Sequence, residues 1–269
     1  MKSFYLWLLA FLITVAAAYF QRVTGPTHSL KGEIEINDNT YKYKLIRSAN
    51  NDKNAEIKLS IPDTTVSGYI TYKRYKSHDT LTTHALTREG DNLVYKLPKL
   101  EAAGKIMYKV TLLSQGETYT LSGNKDEGFV VMRYKNPVPA FILIPHILVM
   151  FIGMMFSTRT GIEAVAKGKK TYKYAIATLV LLIIGGVLGM LLQKYAFGQY
   201  WTGFPFGHDL TDNKTLVLVI IWIITVFKLK KDRNNRFWPI FASILVILIY
   251  LIPHSVLGSE IDYTKTENL

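Results

Sequence analysis

Apolar residues are concentrated in five uncharged blocks along the chain. These blocks cover residues 4–20, 138–156, 174–192, 215–227 and 237–252. A helix that crosses a bilayer needs roughly 20 apolar residues. The first three blocks come close to that length, and the last two reach it with extensions back through Leu210 and out to Leu257. The pattern therefore predicts four or five transmembrane helices.

The first block fits two interpretations. Lys2 precedes it and three alanines, residues 16–18, lie near its end, which is typical of a cleavable signal peptide. Its apolar length is also close to that of a spanning helix, which is typical of an uncleaved anchor. Residues 1–20 are therefore predicted to be a signal peptide or an anchor helix, and their length favours the anchor.

Residues 21–137 alternate between apolar and polar side chains, which is the period of half-buried strands. Stretches such as EIEI, YKYKLI and AEIKLSI are separated by turn sequences such as SANNDKN and REGDN. Seven or eight short strands in this segment predict an antiparallel β-sandwich. The stretch VYKLPKLEAAGKIMYKVTL, with a proline-marked loop between two strands, resembles immunoglobulin-like and fibronectin type III modules in its architecture.

The predicted fold class is therefore an α+β membrane protein with four parts. An N-terminal signal or anchor helix comes first, and an immunoglobulin-like β-sandwich ectodomain follows over residues 21–137. A four-helix transmembrane domain is expected over residues 138–257, and a tail over residues 258–269. The length of the chain is sufficient for these domains to have hydrophobic cores of their own.

Basic residues predict the orientation of the helices. Two short loops, residues 157–173 and 228–236, carry ten basic and two acidic residues between them. Because basic loops stay in the cytoplasm, residues 21–137, the connection near residue 200 and the C-terminal tail are expected on the other side. We therefore expect a multi-pass protein of a bacterial inner membrane, with a periplasmic ectodomain and a periplasmic C-terminus.

The net charge of +12 is largely explained by this topology. Residues 21–137 carry 18 basic and 13 acidic residues, which are mixed along the segment rather than clustered. Such mixing is typical of a solvated sheet face and does not indicate nucleic-acid binding. The expected partners are the lipid bilayer and a protein that binds the ectodomain.

An aromatic and polar stretch, YWTGFPFGHDLTDNKT at residues 200–215, separates the third and fourth apolar blocks. Its aromatic rings are expected at the membrane interface, where such rings are favoured; they are Trp201, Phe204 and Phe206. Asp209 or Thr211 can cap the following helix, and Asp212 falls in its first turn, where negative charge is favourable. This interpretation predicts a rigid turn followed by a capped helix.

A second interpretation of the same region is a metal or haem site on the periplasmic side. The candidate ligands are His146, Met150, His208, Asp209 and His254. Histidine and methionine bind copper or the iron of haem b, and Asp209 or Glu260 could orient an imidazole. In this hypothesis Phe204 and Phe206 cover the site and exclude water. In the alternative, the histidines are hydrogen-bonded anchors and the methionine is a packing residue.

The sequence carries no motif of common catalysis. The absence of cysteine excludes disulfides, thiolate metal sites and cysteine nucleophiles. Phosphate-binding loops, nucleophile elbows and zinc-protease motifs are also missing from it. We therefore expect a non-enzymatic integral membrane protein whose periplasmic domain binds a partner or assembles a complex. The alternative is a haem- or copper-binding redox protein that uses the histidines.

A periplasmic reporter fused after Leu269 should be active, because the two basic loops hold the opposite helix ends in the cytoplasm. Fusions to alkaline phosphatase and to green fluorescent protein report the periplasmic and cytoplasmic outcomes respectively. A fusion at Lys169, inside the first basic loop, is the control and should give the reverse pattern. Cytoplasmic activity at Leu269 would contradict the predicted topology.

Overall fold

The computed structural model describes residues 2–121, 128–254, 256, 258 and 260–266. The chain divides into two compact units, each assembled from two stretches of the chain. The helical unit comprises Met1–Pro26 and Val138–Ser259, and the β unit comprises Thr27–Pro137 and Glu260–Leu269. The chain is thus an α+β protein in which a β-rich region precedes most of the helices, as predicted.

The helical unit contains five helices in the part of the chain that the structure describes. They are α1 (Lys2–Thr24), α2 (Ala140–Val165), α3 (Thr171–Phe197), α4 (Leu210–Lys231) and α5 (Phe237–Leu251). Of these described helices, α1 to α4 are long and apolar enough to cross a membrane, whereas α5 has 15 residues. The prediction of several membrane-length helices is confirmed at this level.

Helix α2 is longer than the apolar block that predicted it. It continues to Val165 and therefore includes Arg159 and Glu163, which the sequence placed in a cytoplasmic loop. The two side chains form an ion pair of 2.6 Å across one helical turn, with 1% and 8% of their surfaces exposed. The pairing offsets part of the cost of burying both charges on the stretch of helix beyond the apolar block.

Helix α1 packs as a member of the helical unit. The Trp7 ring makes edge contacts with Phe156 at 4.9 Å and with Tyr174 at 5.5 Å between ring centroids. Near its other end, Gln21 Nε2 donates a hydrogen bond of 2.6 Å to the Tyr250 carbonyl oxygen. Helix α1 is therefore part of the helical unit, and the choice between an anchor and a signal peptide stays a prediction.

Eleven strands form three sheets in the described part of the β unit. The strands are β1 (Leu30–Ile36), β2 (Asn39–Leu45), β3 (Ser48–Asn50), β4 (Ala55–Ser60), β5 (Ser67–Arg74), β6 (Thr82–Ala85), β7 (Thr87–Glu89), β8 (Asn92–Leu97), β9 (Lys105–Ser114), β10 (Glu117–Leu121) and β11 (Val130–Lys135). The sheet orders are β1-β2, β3-β11-β9-β5-β6 and β4-β8-β7, and β10 also pairs with β9. A short helix, α6 (Tyr263–Thr266), follows in the tail.

The strand pairing is mixed, and the prediction of a purely antiparallel fold is wrong at one pair. Strand β3 pairs parallel to β11, whereas the other described pairs are antiparallel. No hairpin sets the relative direction of these two strands, because most of the β unit lies between them in the chain. Hairpins do connect close neighbours such as β1 and β2, which explains their antiparallel pairing.

The strands bury their alternate apolar residues in one shared core. Strand β4 alternates strictly between buried and exposed residues, and β9 contributes Ile106, Tyr108 and Val110 with at most 1% of each exposed. The Tyr108 hydroxyl donates to the Ile46 carbonyl oxygen at 2.8 Å, so its polar atom is satisfied inside the core. A core shared by three sheets is compatible with a layered β domain, and the immunoglobulin-like topology stays a prediction.

Replacing Trp7 with alanine should destabilise the helical unit by about 2 kcal/mol, because the ring contacts of α1 and a cover over Arg159 are lost. Thermal unfolding of the detergent-solubilised full chain measures this effect. Tyr19→Ala is the matched control on the same helix, since 69% of Tyr19 is exposed. The intact mass of the protein extracted from membranes should correspond to a chain that includes α1. A mass that corresponds to a chain without α1 would contradict the anchor interpretation.

Candidate binding sites

The connection between α3 and α4 is held by the carboxylate of Asp212. Only 6% of Asp212 is exposed, and its Oδ2 atom accepts hydrogen bonds from the Thr202 backbone amide at 2.6 Å and from Gln193 Nε2 at 3.1 Å. Next to it, Asn213 Oδ1 accepts from the Phe204 amide at 2.7 Å. The first turn of α4 therefore fixes the aromatic connection, in addition to any favourable effect on the helix dipole.

The aromatic residues of this connection do not cover the helical unit. Phe204 and Phe206 have 68% and 84% of their surfaces exposed. Trp201 is half-buried, and its Nε1 atom donates to the Phe204 carbonyl oxygen at 3.0 Å. The prediction that Phe204 and Phe206 exclude water from a site beneath them therefore stays a prediction, which their exposure does not favour.

Asp209 caps α4. It is one of the two residues, Asp209 and Thr211, that the sequence predicted for this role. Its Oδ1 atom accepts from the Thr211 amide at 2.8 Å and from the Asp212 amide at 3.5 Å. This bond satisfies an amide that the helix itself leaves unpaired. Lys214 reaches the end of α5, where its Nζ atom donates to the Ile252 carbonyl oxygen at 2.8 Å.

The predicted histidines have different surroundings. His146 Nδ1 forms a hydrogen bond of 3.0 Å with the Gly185 carbonyl oxygen on α3. The His254 ring lies 6.4 Å from the Tyr250 ring, whereas His208 is exposed.

Methionine 150 is a packing residue in this arrangement. It packs on the core of the helical unit, and a side-chain carbon added at Gly185 would lie 2.4 Å from its sulfur. Within the described residues, no group of three or more His, Asp or Glu side chains could hold a metal ion. The haem or copper hypothesis therefore stays a prediction that this arrangement does not favour.

Glu260, which the sequence suggested as a partner of an imidazole, binds two lysines instead. Its two carboxylate oxygens form ion pairs with Lys76 and Lys105 in the β unit. Burial alone would raise the pKa of Glu260, but the hydrogen bonds from Lys105 and Lys76 outweigh it and lower the pKa below the ordinary value. The same bond raises the pKa of Lys76. Glu260 thus fastens the described part of the tail to the β unit.

A cleft of about 380 Å³ opens on the β unit. It is lined by Tyr72, Lys73, Arg74, Asp79, Thr80, Thr82, Pro98, Leu100 and Ile106. Within it, Arg74 donates from Nε to Asp79 Oδ2 at 2.8 Å and from Nη2 to Oδ1 at 2.7 Å. These hydrogen bonds lower the pKa of Asp79 to about 2. The Tyr263 ring of the tail lies under the same guanidinium, with its centroid 4.6 Å from Arg74 Cζ.

Three aromatic rings meet beside the cleft. His84 stacks on Tyr72 at 5.8 Å and on Tyr95 at 5.5 Å, and the two tyrosine rings are 6.0 Å apart. Burial and the bond to Tyr72 raise the pKa of Tyr95 to about 12. Sequence reasoning missed this cluster because its members come from β5, β6 and β8, which lie in two different sheets. The His84 side chain is exposed.

No family model, curated protein or solved structure matches this chain. The β-unit cleft is one place where described polar, aromatic and apolar side chains line open space.

Glu260→Gln should loosen the tail at neutral pH. The backbone amides of Ile261 and Thr264 donate to the carbonyl oxygens of Ala103 and Lys76. In the variant we expect these amides to exchange hydrogen roughly fivefold faster, which corresponds to a decrease of about 1 kcal/mol in the free energy of local opening. The effect is modest because 44% of the Lys76 side chain is exposed and solvent screens that pair.

Hydrogen exchange followed by mass spectrometry, with wild type and variant compared at each pH, makes this measurement. Because the folded pKa of Glu260 is depressed, its contribution is complete above the ordinary value of 4.5 and is lost as pH falls through the folded pKa. The two proteins should therefore converge in acid. Glu33→Gln, which removes an exposed pair with Lys42, is the control and should leave the tail unchanged.

Proposed function

We propose that this protein is a membrane-anchored binding protein of a bacterial inner membrane. Its helices hold it in the bilayer, and its β unit binds a protein partner on the periplasmic side. The observation that carries this proposal is the cleft beside Tyr72, whose volume of about 380 Å³ lies in the range of ligand sites.

The surface of the helical unit supports a location in lipid. Large apolar side chains are exposed along its long helices, including Phe141 at 72% on α2, Val187 at 53% on α3 and Phe227 at 64% on α4. Such a surface is stable against hydrocarbon and would be unfavourable in water.

The distribution of charge and the position of the tail support the sidedness. The last turn of α4 carries Lys228, Lys230 and Lys231, at the end that the basic-loop rule assigns to the cytoplasm. Residues of the tail belong to the β unit, which agrees with a β region and a C-terminus on the same side of the membrane.

The chemistry of the cleft supports binding rather than catalysis. Arg74 and Asp79 satisfy each other with two hydrogen bonds, so neither is poised to transfer a proton. The remaining lining is largely hydroxyl, aromatic and aliphatic, with Tyr72, Thr82 and Leu100 as examples. Aromatic and aliphatic surface with a few fixed polar groups is typical of a recognition site.

A photo-crosslinking amino acid at Thr80, which lines the cleft, should capture one discrete partner when the full chain is expressed in its native cells. The matched control is Thr118, an exposed threonine on β10 outside the cleft. Tyr72→Ala should weaken the Thr80 product, because the ring that lines the cleft is lost. The proposal fails if Thr80 and Thr118 capture the same species, or if Thr80 captures none.

A further inference from the structure

We infer that the partner presents an extended acidic segment, which adds as a strand along β6 and places a carboxylate against Lys73 in the cleft. This inference rests on the proposed function that the β unit binds a protein. It names the form of the partner, a strand rather than a folded surface, and the charge that the cleft selects.

Strand β6 is an exposed sheet edge. It pairs with β5 along one side, from Tyr69 opposite Ala85 to Tyr72 opposite Thr82, and it ends the order of its sheet in the described part of the chain. All four of its residues are exposed. An edge strand presents unpaired backbone donors and acceptors, which an extended peptide can bind by strand addition.

The other outer strands carry features that hinder strand addition. Among the described strands, β1, β2, β4, β7 and β10 all contain charged residues, and β3 has three residues. The β6 sequence TTHA has no proline, lysine or acidic residue. Charged residues and proline usually protect an edge strand from pairing with another chain. Among the described outer strands of four or more residues, β6 is the one without this protection.

The cleft adjoins the start of β6, and its lining also includes residues of β5 and β9 on the paired side of that strand. Thr80 and Thr82 line it, and they lie just before β6 and at its first position. Its apolar lining, which includes Pro98 and Leu100, can receive an alternate side chain of the added strand. Because side chains alternate along a strand, such pockets supply the specificity that backbone hydrogen bonds lack.

Lysines at the cleft have no ion pair in the part of the chain that the structure describes, although Glu101 follows the lining residue Leu100. Arg74 is neutralised by Asp79, and Lys76 and Lys105 share Glu260. Lys73 lines the cleft, and no ion pair of Lys73 is found in the part of the chain that the structure describes. Lys99, between Pro98 and Leu100, is exposed. An acidic side chain in the added strand complements these ammonium groups.

The test uses the full chain in lipid nanodiscs and a fluorescent ten-residue peptide that alternates valine and glutamate. Fluorescence anisotropy should show saturable binding, and Lys73→Glu should weaken it about tenfold. The matched control is Lys58→Glu, the same charge change at an exposed position on β4, which should bind as wild type does. A peptide that alternates valine and lysine should bind Lys73→Glu more tightly than wild type. This result would show that the charge contact is kept when the charges of the two partners are swapped.

A second probe tests strand addition itself. Methylation of every backbone nitrogen of the valine–glutamate peptide removes the donors on both of its edges and should abolish binding, because the ladder along β6 cannot form. Circular dichroism verifies the fold of each variant. If Lys73→Glu disturbs the fold, Lys73→Gln replaces it and should give a smaller loss of peptide affinity.

Several results would overturn the inference. Equal binding by the methylated peptide excludes a strand ladder, and equal effects of Lys73→Glu and Lys58→Glu exclude the charge contact. A dimer of the chain that Thr83→Pro dissociates would assign β6 to a second copy instead. Crosslinking from Thr80 combined with any of these results would reject the strand model while the proposed function stands.

Discussion

Buried charge is the constraint on which the helical unit depends. Removing a charged group from water costs several kcal/mol unless its partners compensate, and the unit buries charges on two of its helices. Arg159 is paired with Glu163 on α2, and the rings of Trp7 and Tyr174 lie 5.5 and 5.0 Å from its guanidinium carbon. The guanidinium therefore links α1, α2 and α3, so that the position of one side chain constrains three helices.

The other buried charges lie at the start of α4. Asp212 gathers the connection from α3, and Lys214 closes the end of α5 through a backbone carbonyl. This accounts for a polar and aromatic stretch between two apolar helices: its polar members compensate one another and the neighbouring backbone. The exposed phenylalanines are then consequences of a loop conformation that Asp212 and Asn213 impose.

The β unit also pairs several of the charges beside its cleft, but not that of Lys73. The tail satisfies Lys76 and Lys105 through Glu260, and Asp79 satisfies Arg74 beside Tyr263. With these compensated, Lys73 is left beside apolar surface and an unprotected strand edge. The Lys73 ammonium and the backbone groups of the β6 edge have no partners in the described part of the β unit. The proposed ligand therefore supplies negative charge and backbone hydrogen bonds.

The sequence by itself determined the elements whose physics is local. Apolar length predicts α1 to α4, period-two alternation predicts the strands, and Asp209 was recognisable as a cap because capping involves the next few residues. Tertiary structure alone decided what depends on long-range contacts. The parallel pairing of β3 with β11, the bond of Glu260 to Lys76 and the meeting of Tyr72, His84 and Tyr95 join distant residues, and no periodicity records those distances.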